Sequence, residues 1–268
     1  MTTRLSRSAW VLLCLFVFSI PWEKSISAPG IGTFSHLLGV LAFGAAAAAA
    51  VQRGSLRPPN LPLTFALCFA LWAGLTWFWS VDRPATLSRA ATFAELVAMA
   101  WLIWDSCRDR LRQRQLMQAY VWGALVAAIS VYVRFFLGRQ TYWRRYAAPG
   151  FDPNDCGLIL ALSVPLALYL ASRSYSRMRM GYRIAVVVVL GALLLTASRT
   201  ALIAAFVAFG FVLWTWREAD LSQRIASVVL PLVLIAGLYG FAPAPARERL
   251  ATVGRELTRG TLHNRTTI

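Results

Sequence analysis

The sequence predicts an all-α fold: a polytopic transmembrane helical bundle of about nine spans, with its N-terminus in the cytoplasm. Three observations carry that expectation. Of the 268 residues, 58% are hydrophobic and 14% charged, with a mean hydropathy of +0.58; a soluble domain averages about 45–50% apolar and about 25% charged. The apolar residues come in long blocks rather than alternating with polar ones. The polar stretches between the blocks are rich in Arg, and the net charge is +16. Together these exclude a cytosolic globule, a disordered chain and a collagen-like rod. Lys24 is the one Lys, and the Arg are scattered between spans rather than gathered on one basic face. That argues for membrane lipids and against nucleic acid as a partner. Cys14, Cys68, Cys107 and Cys156 lie in separate segments with no CxxC or Cys/His spacing, so neither a zinc site nor a disulfide framework is expected.

Each element follows from the pattern. Arg4 and Arg7 precede the apolar run 9–21, which reads as an uncleaved first helix because further spans follow. The Ala-rich run 33–51 is the second span, and 52–60 (QRGSLRPPN) is a Pro/Arg turn. Residues 61–80 form a Trp-rich third span, 81–89 a short polar link, and 90–104 a fourth span. The charged loop 105–115 leads to a fifth span at 116–137. Residues 138–155 (GRQTYWRRYAAPGFDPND) are the longest internal polar stretch, followed by a sixth span at 156–171 and a basic loop at 172–183. Residues 184–216 are 33 residues with a single charge, Arg199. One helix of that length spans about 50 Å, against a hydrocarbon core of about 30 Å. The polar point Thr196-Ala-Ser-Arg-Thr200 is where two short helices should meet, with Arg199 at a membrane face. A ninth span is expected at 225–241. The transmembrane domain is then 1–241, and the amphipathic basic tail 242–268 is the start of an outer loop.

Orientation follows from the excess of Lys and Arg in cytoplasmic loops. With the N-terminus inside, the internal segments hold 14 basic residues and the outer segments 8; the tail adds 5 more outside. A continuous helix over 184–216 would move Arg217, Arg224 and the tail to the other face, so the topology rests on the break at Ser198-Arg199.

The outer Arg carry the functional information. Charge on the translocated side opposes the insertion preference, and guanidinium forks suit phosphate oxygens. Arg144 and Arg145 sit among Tyr142, Trp143 and Tyr146; contact with lipid phosphates alone would also account for them. Arg199, an ionisable residue within apolar helix, is the stronger site residue. Phe151-Asp-Pro-Asn-Asp155 has the chemistry of a helix start for span six, since Asp and Asn favour turns and N-caps and Pro153 fixes φ. Its backbone N–H groups would also favour an anion, and Asp152 and Asp155 are weaker alternatives as acid/base groups. Trp22 closes span one as an interface anchor. Glu95, the one acid well inside a span, is expected to pair with Arg89 or Arg199 or to face water. His36 reads as interfacial and His263 as solvated.

Four of these places resemble the O-antigen ligase/O-antigen polymerase family of bacterial membrane glycosyltransferases. They are Ile20-Pro21-Trp22-Glu23, Arg145 with Gly150-Phe-Asp-Pro-Asn-Asp155, Leu195-Thr-Ala-Ser-Arg-Thr-Ala-Leu202, and Leu262-His-Asn-Arg-Thr-Thr-Ile268. The resemblance spans nearly the whole chain, and the T-x-S-R and D-P-N motifs are specific as a pair. It implies lipopolysaccharide or polysaccharide biosynthesis at the inner membrane. There a glycan on undecaprenyl diphosphate is transferred, on the periplasmic side, to a lipid A–core sugar hydroxyl by a ligase. A polymerase transfers it to another lipid-linked glycan. No metal or other cofactor is implied. Carried over residue by residue, it makes Arg199 catalytic, has Arg145, Arg144 and Arg265 bind the diphosphate, and gives Asp152, Asn154 and Trp22 the shaping of the pocket. The family's large periplasmic loop, with its His, has no counterpart here, since His263-Asn264 precedes Arg265. The expectation is therefore the N-terminal part of a longer enzyme, inactive if it acts alone. Two other classes are weaker alternatives. A transporter of lipid-linked glycans would suit the Arg equally well but should show broken helices in both halves, and the sequence has one break, at Ser198-Arg199. A non-catalytic membrane scaffold is supported only by the missing C-terminal part.

Overall fold

The computed structural model describes residues 4–28, 32–141 and 145–215. It is all-helical in architecture, and among the described residues seven helical segments are long and apolar enough to cross a membrane. The chain is a multi-pass membrane protein. Among the described residues eight α-helices follow in order: α1 Arg4–Ser19, α2 Phe34–Arg53, α3 Leu61–Leu75, α4 Arg83–Ser106, α5 Arg110–Phe136, α6 Pro153–Ser172, α7 Ser176–Thr196 and α8 Arg199–Thr215. A 3-10 turn, Ile20–Ser25, extends α1, and Ser27–Ala28 pairs antiparallel with Gly32–Thr33 in a two-residue ladder. The expected ninth span at 225–241 and the tail 242–268 lie outside the described residues.

Five helices, α1, α4, α5, α6 and α7, begin earlier than their apolar runs suggest. The link 81–89 belongs mostly to α4: Asp82 Oδ1 accepts from Ala85 N at 3.0 Å, and Pro84 occupies the first turn. The charged loop 105–115 belongs mostly to α5, because Asp109 Oδ1 accepts from Arg112 N at 2.7 Å. The basic loop 172–183 is α7 from Ser176 onward. Hydropathy marks where the chain enters hydrocarbon, whereas these helices start in the polar layer outside it. The block 184–216 does break, but its first half is the end of a full-length α7 of 21 residues, not a short helix.

The chain divides into two compact units. The first takes the described residues within Met1–Phe16 and Ser35–Leu116. Here α2 buries a face of small residues, Ser35, Gly39, Ala42, Ala46, Ala49 and Ala50, at three- and four-residue spacing. α3 packs on α4, with Phe69 edge-on to Phe93 at 5.1 Å between centroids. Leu61, Phe65, Leu71 and Trp72 of α3 and Leu87 and Leu96 of α4 are exposed, an apolar surface that suits lipid. Glu95 is exposed on α4 and forms no ion pair with Arg89.

The second unit takes the described residues within Val17–Phe34 and Met117–Ile268. α6 is its centre and packs against both α7 and α8. The shared core includes Val121, Ala124 and Val131 of α5, Leu160, Val164 and Leu170 of α6, and Val189, Leu190 and Leu193 of α7. Small residues let backbones approach, and two tyrosines then bond to a neighbour's main chain. Tyr120 donates to the Ile159 carbonyl at 3.1 Å and Tyr132 to the Val188 carbonyl at 3.0 Å.

Candidate functional site

The site lies in the second unit, where α7 stops. α7 ends at Thr196 because Ala197 adopts a left-handed conformation, φ 48° and ψ 35°. This is the break expected from the length of the apolar block. A stopped helix leaves carbonyls at one end and N–H groups at the next beginning without partners. Ser198 supplies the new start: its carbonyl accepts from Leu202 N at 3.1 Å and its Oγ from Ala201 N at 3.4 Å. The old end is capped from the loop before α6. Arg145 Nε donates to the Thr196 carbonyl at 2.7 Å, and Tyr146 N donates to the Leu195 carbonyl at 3.2 Å.

Asn154 joins the two motifs. Its Oδ1 accepts from Arg145 Nη2 at 2.7 Å and from Ser198 Oγ at 3.2 Å. Asn154 can do this because it stands in the first turn of α6, which Asp152 caps: Asp152 Oδ1 accepts from Asn154 N at 2.8 Å. The approach is close. A Cβ on Gly157 would lie 2.8 Å from Ala201 Cβ and 3.0 Å from Ser198 Cβ, so α6 and the break meet only because residue 157 is glycine. Arg145 is 7% exposed and its guanidinium is turned into the protein. Arg199, the first residue of α8, is half-buried.

The end of the first helix reaches the same place. Trp22 sits at the kink of the 3-10 turn, stacked on Phe34 with centroids 6.1 Å apart and edge-on to Phe18 at 5.7 Å. Its Nε1 is buried with no acceptor among the described residues. Two residues on, Lys24 bonds to Asp155 Oδ2 at 3.5 Å and lies over the Phe151 ring at 5.2 Å. Ser25 Oγ donates to the Pro149 carbonyl at 3.3 Å. Gly150, with φ +78°, leaves no room for a side chain, since a Cβ there would lie 2.4 Å from the Lys24 carbonyl oxygen.

Thus the structure brings together Trp22, Arg145, Asp152, Asn154 and Arg199 within one unit. Arg144, with Tyr142 and Trp143, lies outside the described residues, as do Arg265 and His263. Three participants were not singled out from sequence: Lys24, Gly157 and Thr196 as a carbonyl acceptor. Lys24 carried a signal, being the one Lys in an Arg-rich chain. Asp155 is occupied by Lys24, which weighs against an acid/base role.

Chemically, the arrangement presents two helix N-termini, of α6 and α8, beside a guanidinium at a helix break. Such ends carry partial positive charge and favour anions. Among the described residues no group of His, Cys, Asp and Glu is placed to hold a metal ion. Comparison with known protein families, with curated proteins and with solved structures returns no match to this chain.

Proposed function

We propose that the chain is an O-antigen ligase-type glycosyltransferase. It moves a glycan from undecaprenyl diphosphate to a lipid A–core sugar hydroxyl on the periplasmic face of the bacterial inner membrane. The observation that supports this reading is the shared carbonyl oxygen of Asn154, which ties the D-P-N turn to the T-x-S-R break through Arg145 and Ser198. Two motifs that resemble one family in sequence are one piece of structure here.

The chemistry follows from charge. As the acceptor oxygen bonds to the anomeric carbon, the bond to the diphosphate oxygen breaks and negative charge grows on the leaving group. A preorganised guanidinium stabilises that charge more than it stabilises the bound donor, and so lowers the barrier. Arg199 takes this role in the proposal, with the N-termini of α6 and α8 adding partial charge. Arg145 serves as a positioning residue, because its Nε and Nη2 hold the break in place.

The test is transfer from purified lipid diphosphate donor to lipid A–core in proteoliposomes, measured in a full-length version of the enzyme. Arg199→Ala should lower the rate about 100-fold or more. Arg199→Lys should also fail, because a point charge does not reproduce a two-pronged fork. Transfer at the original rate by Arg199→Ala would overturn the proposal. A deletion strain supplies the cellular readout: loss of the long-chain lipopolysaccharide ladder with lipid-linked polymer retained marks a ligase. A single repeat unit on core marks a polymerase instead.

A further inference from the structure

In the first unit, the turn between α2 and α3 is fastened to the end of α4 by one carboxylate. Asp105 is 1% exposed. Its Oδ1 accepts from Arg57 N at 3.0 Å and from Arg108 Nη2 at 2.6 Å, and its Oδ2 accepts from Arg53 Nη2. Arg108 Nε also donates to the Asp105 carbonyl at 3.0 Å. Two tryptophans of α4 hold the same turn by its main chain: Trp101 Nε1 donates to the Arg57 carbonyl at 2.9 Å and Trp104 Nε1 to the Pro58 carbonyl at 3.0 Å. The Arg57 guanidinium lies over Trp104, 3.6 Å from the ring centroid, and has no carboxylate partner among the described residues.

We propose that Arg53, Arg57 and Arg108, gathered around Asp105, form a binding site for the phosphodiester of an anionic phospholipid. Arg53 and Arg108 share one carboxylate and Arg57 has none among the described residues, so two of the three positive charges are uncompensated. They are held at fixed positions rather than on free side chains, because the buried carboxylate and the two indoles fasten the segment that carries them. The side chains of Arg53 and Arg108 remain 31% and 46% exposed, so a ligand can reach them. Their place selects the ligand. Arg53 ends α2, Leu61 begins α3 and Ser106 ends α4, so the cluster sits where helices leave the hydrocarbon, at the depth of headgroup phosphates. Guanidinium forks match phosphate geometry, and indoles favour the same interfacial layer. This site does not depend on the glycosyltransferase reading.

The experiment is native mass spectrometry of the full chain in mild detergent, titrated with phosphatidylglycerol, with phosphatidylcholine and with inorganic phosphate. The expected result is one tightly held phosphatidylglycerol per chain and weaker retention of the zwitterionic lipid. Arg57→Gln should weaken that binding about five-fold, as expected for one basic residue at a lipid surface. This variant keeps the backbone N–H that bonds to Asp105, so the fold of the turn is preserved. Arg108→Gln should weaken binding by a similar factor. Equal retention of the two lipids, or unchanged affinity in both variants, would overturn the proposal. Displacement of the lipid by an equal concentration of inorganic phosphate would show a soluble phosphate ligand and would overturn it too.

Discussion

Arg145 Nη2 lies 2.7 Å from Asn154 Oδ1, so the residue that caps the end of α7 is itself held by the second residue of α6. A guanidinium buried in this way is costly unless its N–H groups are bonded, and here two of its nitrogens are assigned to main chain and amide acceptors. The break in the apolar block is thereby fixed by a residue outside it.

Asn154→Ala removes the acceptor shared by Arg145 and Ser198. Because residue 154 is exposed, water recovers part of the loss, and the expected destabilisation is about 2 kcal/mol. Thermal unfolding in detergent, followed by circular dichroism, should show a lower midpoint. An unchanged midpoint would mean that the bond between Arg145 and Asn154 contributes nothing to the fold.

Gly157→Ala tests the close approach of α6 to the break. The new methyl group would press on Ala201 and Ser198, and overpacking of this kind costs about 1–3 kcal/mol. Gly181→Ala on α7 is the matched control, since nothing lies within 4 Å of a Cβ there and alanine is the better helix former. The first variant should unfold at a lower temperature than the original and the second at the same or a higher one.

Ala197 pays for its left-handed backbone. A non-glycine residue in that region costs about 1 kcal/mol, so Ala197→Gly should raise stability by up to that amount. Ala197→Val should lower it, because a branched side chain fits this backbone worse and the site is buried. The order Gly above Ala above Val in unfolding midpoint is the expected result; any other order contradicts the break as described.

Cys107, between α4 and α5, has its thiol pushed up to about 11, chiefly by burial, from an ordinary value of 9.0. The folded protein therefore holds this proton at a pH where the unfolded chain has released it. Stability contributed by the neutral thiol is present below pH 9 and is lost as pH rises from about 9 to about 11. Alkylation of Cys107 at pH 7.5, followed by peptide mapping, should be far slower in the folded protein than after denaturation. Equal rates would contradict its burial.

Much of the architecture is written in the chain. The break at Ala197-Ser198 is legible because a 33-residue apolar run is longer than a bilayer and holds one polar point. The start of α6 is legible because Asp-Pro-Asn is cap chemistry. The starts of α4, α5 and α7 are less legible, because their first turns are charged and look like loop to a hydropathy window. Gly157 and Lys24 could not be read as site residues from spacing. Their importance comes from what lies opposite them, and only the fold brings Ala201 and Asp155 there.

The left-handed residue at 197 also bears on how the protein is made. A chain is synthesised from its N-terminus, and its earlier parts can be in place before later ones appear. Arg145 precedes Thr196 by 51 residues, and Asn154 precedes Ser198 by 44. Both partners of the break therefore leave the ribosome ahead of it. When the apolar block follows, the guanidinium that caps the end of α7 has already been made.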